Sequence, residues 1–98
     1  MLGYSLKSTY ERMRELGLTK STCDFSRRWL RRGATYLRDY EHRDQRAMMR
    51  VPPKTIATLR ERLLEVAARV PGSIADEIRS VVDGIDRDCR VGDLLHRS

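Results

Sequence analysis

The sequence predicts an all-α fold, a bundle of four to five helices, and three observations lead there. Apolar residues recur at steps of three and four in successive segments. Strand-like alternation persists nowhere, and glycine and proline fall between the periodic stretches. Ninety-eight residues, 40% hydrophobic and 35% charged, suit one domain with a modest core. Within residues 1–98 the expected organisation is a helix–corner–helix region over 5–46, followed by a helical hairpin over 53–98.

The first helix is expected over Ser5–Leu16. Leu6, Tyr10, Met13 and Leu16 share one face, and Lys7, Glu11, Arg12, Arg14 and Glu15 fill the other. Ser8 and Glu11 have capping-box spacing, which places an alternative start at Ser8. Gly17 suits the left-handed position that ends a helix, with Leu18 folding back. Ser21 and Asp24 open the second helix, the acid lying near its positive end. Phe25, Ser26, Trp29 and Leu30 face inward there; Arg27, Arg28 and Arg31 do not. A corner, Arg31–Ala34, follows. Thr35 is placed to cap a third helix with Leu37 and Tyr40 inward and Tyr36, Arg38, Asp39, His42 and Arg43 exposed.

Gln45–Val51 reads as a linker or frayed end, closed by Pro52-Pro53, of which the second proline suits a first helical position. The next helix carries a seam of Ile56, Leu59, Leu63, Val66 and Val70, with Glu61, Arg62, Glu65 and Arg69 outside it. Pro71-Gly72 stops that helix. Ser73 and Asp76 are read as capping the last one, whose stripe is Ile74, Ile78, Val81, Val82, Ile85 and Cys89, weakened in its middle by Gly84. Val91, Leu94 and Leu95 form an apolar tail. Seam and stripe either pack on each other to complete a monomer or pack across a two-fold axis. The small chain and the apolar tail tilt this expectation toward a homodimer.

Charge is the most uneven property of the chain. The net charge is +6, and the window Arg27–Lys54 holds nine basic residues against three acidic ones, which accounts for all of it. Eight of the nine are arginine, whose planar fork suits phosphates and guanine edges. A polyanion, nucleic acid before membrane, is the expected partner. A charge run is commonly just a solvated face, but solvated faces mix signs, as the other helices here do. Trp29 lies one turn from Phe25 on the inward side and is expected in the core. Tyr36 is the candidate for stacking on or contacting a base, and His42 for touching phosphate.

Cys23 and Cys89 are far apart and form no metal-binding cluster, and His42 and His96 lack partners at ligand spacing. No metal and no cofactor is therefore expected. Both thiols are expected free in a reducing cytoplasm. A redox role stays open for Cys23, near a helix start that stabilises thiolate, or for Cys89. No nucleophile–base pair, paired carboxylates or phosphate loop appears, so the protein is not expected to be an enzyme. Neither a signal segment nor a run of transmembrane length is present, and no membrane partner is expected.

Phe25, Ser26 and Trp29 follow the order apolar, small, apolar one turn on, and Leu37 and Tyr40 lie three apart beyond the corner. With the supporting helix before them, residues 8–46 resemble the helix-turn-helix of DNA-binding proteins of the phage-repressor kind. The resemblance implies that the third helix enters the major groove with its N-terminal residues toward base edges. The segment departs from that pattern in two places. No glycine stands near Leu30–Arg31, and the corner is about one residue longer than the common pattern.

The expected function is accordingly a small DNA-binding transcriptional regulator acting on double-stranded DNA. Arg31, Arg32, Arg46 and Lys54 would hold phosphates, and Thr35, Tyr36, Arg38 and His42 would face the major groove. Arg27, Arg28, Arg43 and Arg50 complete the basic surface. The alternative is a small helical antagonist or adaptor that binds a protein partner, either a transcription regulator or a DNA-processing enzyme, in one version redox-gated through Cys23 or Cys89.

Overall fold

Helix α1 spans Gly3–Glu15 of the computed structural model, which describes residues 3–38 and 51–97. Helix α2 is the short Thr22–Asp24, and it runs directly into a π-helical turn, Phe25–Trp29. After a corner, a helical turn occupies residues 36–38. Helix α3 spans Pro53–Ala67 and α4 spans Gly72–Arg97. The fold is all-α, with no strand among the described residues. The expected apolar tail is thus the last part of α4.

Leu6, Tyr10 and Met13 form the buried face of α1. Its end is fixed by Gly17 at φ +79°, where the amide of Leu18 bonds to the Met13 carbonyl at 2.9 Å and that of Gly17 to Arg14 at 3.0 Å. That pair is the double closure a left-handed glycine permits, and Leu18 folds back half-buried. Ser8 does not start the helix; it lies exposed inside α1, because the Leu6 face already needs the preceding turn.

Seam and stripe pack on each other within the chain. Leu59, Leu63 and Ile78 are fully enclosed, and α3 and α4 form the most extensive helix pair. Pro53 takes the first position of α3, where its missing N–H costs nothing. Two expectations about α4 are corrected. The helix begins at Gly72, so Ser73 and Asp76 lie inside it, and Asp76 instead pairs with Arg79 at 3.3 Å. Ile74 is 45% exposed, and Ala75 takes the buried place beside it. Arg12 Nη2 donates to Ser80 Oγ at 2.8 Å, tying α1 to α4. Arg60 clasps Asp86 through Nε and Nη2 at 3.0 and 3.4 Å, tying α3 to α4. Such exposed pairs set helix register more than they stabilise.

One core joins all these elements. Tyr10 meets Phe25 edge-on, ring centroids 5.4 Å apart, and so links α1 to the π-helical turn. Val51, expected in a linker, is instead 1% exposed. An apolar side chain just before two prolines is thereby anchored in the core, as Leu37 is on the far side of residues 39–50.

Candidate nucleic-acid interface

The basic corner begins with a well-capped helix. Ser21 is in extended backbone and its Oγ accepts the Asp24 amide at 3.2 Å. The Asp24 carboxylate reaches back to accept the Lys20 amide at 3.2 Å and the Thr19 hydroxyl at 2.8 Å. Burial pulls the Asp24 pKa upward, but those two hydrogen bonds and the Arg28 charge outweigh it, and the net shift is downward. Arg28 stands 3.6 Å from Asp24, a loose pair with the arginine largely in solvent.

The π-helical turn buries Phe25, Ser26 and Trp29 on one side and leaves Arg27 and Arg28 on the other. Leu30 N–H bonds to the Phe25 carbonyl at 3.2 Å, five residues back, which brings Leu30 into the core as well. Arg31 then takes φ +54°, and the Arg32 amide closes on the Ser26 carbonyl at 2.9 Å. The corner needs a left-handed residue, and an arginine supplies it; Gly33 does not. A side chain there costs on the order of 1 kcal/mol relative to glycine.

Ser26 joins the two sides of the corner. Its carbonyl receives Arg32, while its enclosed hydroxyl oxygen accepts the Leu37 amide at 3.1 Å. The hydroxyl that meets the first turn beyond the corner is thus Ser26 from the preceding helical segment. Thr35, expected to cap that turn, is exposed at its start, and Tyr36 N–H closes on the Gly33 carbonyl at 3.1 Å.

Two of the expected contact residues also pack within the fold. Arg32 donates through Nε and Nη2 to Thr55 Oγ1 at 3.2 and 3.0 Å, and its guanidinium lies 5.7 Å from the Tyr36 ring centre. Tyr36 is half-buried against the core rather than exposed, because the arginine covers its outer face. Arg27, Arg31, Arg38 and Lys54 are exposed and make no ion pair with another described residue. Tyr40, His42, Arg43, Arg46 and Arg50 lie outside the described residues.

A family model matches residues 6–90, nearly the whole chain, and it describes a family of unknown function, DUF6626. The chain belongs to this family. The DUF6626 match takes in α1, the basic corner, α3 and most of α4, so the corner and its supporting hairpin fall within one family unit. Comparison with curated proteins and with solved structures finds no significant match.

Cys23 and Cys89 are both half-buried and unpaired. Among the described residues, no group of three or more histidine, cysteine or acidic side chains is placed to hold a metal ion, and no helix is long and apolar enough to cross a membrane.

One residue at this surface escaped the charge pattern. Arg62 on α3 shares a cleft of about 100 Å³ with Arg28, Trp29, Glu65 and Val66. Its Nε is enclosed and has no hydrogen-bond partner. The spacing contained a signal: Arg62 lies three residues after Leu59 and four before Val66, on the flank of the seam rather than outside it.

Proposed function

We propose that this protein is a small DNA-binding regulator whose basic corner contacts double-stranded DNA. The observation that carries the reading is the presentation of Arg27, Arg28, Arg31 and Arg38 to solvent on both sides of a corner locked by Ser26. A rigid backbone that offers several guanidinium groups suits phosphate positioning, with Arg38 nearest in role to a base contact. Arg32 and Tyr36 support the corner in this scheme, and Lys54 extends the basic surface onto α3.

Selection of bound fragments from random double-stranded DNA, repeated at two salt concentrations, tests the proposal. Binding should weaken steeply with salt, because each neutralised phosphate releases counterions. Arg38→Ala should relax sequence preference, by about 1–3 kcal/mol if the contact is bidentate. Arg27→Ala should weaken all sequences alike. Failure to retain any duplex at low salt would sink the reading. Capture of one stoichiometric protein partner, with no DNA retained, would support the adaptor class in its place.

A further inference from the structure

The cleft beside Trp29 is lined by Arg62, whose Nε lies enclosed behind it and is left by the fold without an acceptor. Arg62 Nε is the only enclosed side-chain nitrogen or oxygen lacking a hydrogen-bond partner among the described residues. Enclosed donors are nearly always satisfied, and a charged one is the most costly to leave open. Three further groups line the same space. Arg28 comes from the basic corner and is engaged only loosely at 3.6 Å by Asp24. Trp29 forms the apolar wall, and Glu65 stands beside the cleft without forming an ion pair to either arginine.

We infer that this cleft binds a phosphate group, held between Arg62 of α3 and Arg28 of the basic corner. About 100 Å³ accommodates an oxyanion and little else. Two arginines from different elements offer forked donors, the geometry that phosphate oxygens accept best. The cleft is continuous with the basic corner through Arg28, so on the DNA reading, on which this assignment of the source rests, the ligand is a backbone phosphate of the bound duplex. Such a contact positions the protein without reading sequence. Glu65 opposes the anion and sets the affinity below what two arginines alone would give.

Two measurements test this separately from the DNA proposal. The first is duplex binding by the wild type, Arg62→Met, Glu65→Gln and the control Arg69→Met, followed by fluorescence anisotropy across salt. Arg62→Met keeps the apolar stem and removes an unsatisfied donor, so it should fold at least as well. It should lose about tenfold in affinity for every sequence and flatten the log–log salt slope by about one. Glu65→Gln should bind tighter, and Arg69→Met should be unchanged.

The second is titration of the full-length protein with inorganic phosphate, reading the Arg62 Nε–H and Trp29 indole N–H resonances, with chloride and acetate at matched ionic strength. A saturable shift with phosphate alone, lost in Arg62→Met, supports the site. If phosphate saturates the site but no duplex binds, the cleft stands as a site for free phosphate and the DNA reading falls. An unchanged affinity in Arg62→Met overturns the backbone-phosphate assignment while leaving the DNA reading intact. An equal response to acetate would instead mark a carboxylate pocket, and a response no greater than that to chloride would refute the site altogether.

Discussion

Replacing Ser26 by alanine separates two reasons for a small residue at the corner. Ser26 is fully buried, and its Oγ accepts the Leu37 amide at 3.1 Å. If the site only needed to be small, alanine would be neutral or slightly stabilising, since it is the better helix former by up to about 0.7 kcal/mol. The structure predicts the opposite sign. Alanine leaves an enclosed amide without an acceptor, at a cost of about 1–3 kcal/mol. Subtracting the propensity gain leaves a net loss of about 0.3–2.3 kcal/mol. For a domain of this length that corresponds to a fall in Tm of roughly 1–18 °C. Urea unfolding should show a lower midpoint at constant slope, and hydrogen exchange should show the Leu37 amide losing protection. Unchanged stability, with that amide still protected, would refute the reasoning.

Three further substitutions probe the same structure. Arg31→Gly relieves the left-handed strain, and after the entropy cost of glycine in the unfolded chain it should raise stability by at most about 0.6 kcal/mol; on the proposed function, duplex affinity should fall in the same variant. Gly84→Ala should stabilise α4 by about 0.5–1 kcal/mol in a thermal melt, since the new methyl would meet Arg87 Nη2 at 3.9 Å and Arg12 Nη1 at 4.0 Å, both ordinary contacts. Asp24 has a lowered pKa in the fold, so its contribution is complete at neutral pH and is lost as pH falls below the ordinary 3.8 and through the folded value. Asp24→Asn should therefore flatten the dependence of the urea midpoint on pH between about 5 and 2, and an unchanged slope would remove Asp24 from the acid response.

Most of the bundle was legible because its signals are local and periodic. Spacing alone identified the faces of Leu6–Met13, Phe25–Leu30 and Leu59–Leu63, and single residues marked the ends at Gly17, Ser21 and Pro53. Caps assigned from a two-residue match were less secure. Ser8 and Ser73 carry the same spacing as Ser21, yet each lies inside a helix: the Leu6 face extends α1 past Ser8, and α4 already starts at Gly72, with the Ala75 amide bonded to the Pro71 carbonyl at 2.9 Å. The basic surface was legible as a count but not as an arrangement. Nothing local reveals that Arg32 reaches Thr55, 23 residues away, or that it covers Tyr36. Arg62 lies beyond the charged window, and only tertiary packing brings it beside Trp29.

The π-helical turn at Phe25–Trp29 has a consequence for how this chain is compared with others. A π turn holds one residue more than the α turn it replaces. Counting from Phe25 at ordinary helical spacing therefore assigns everything after Trp29 to a position one place out of step. The surplus residue belongs inside the second helical segment, although a count of residues charges it to the corner. An alignment with its gap at the corner shifts Arg31, the left-handed residue of the corner, by one place. A search for distant relatives should allow the extra residue within Phe25–Trp29 rather than at the corner.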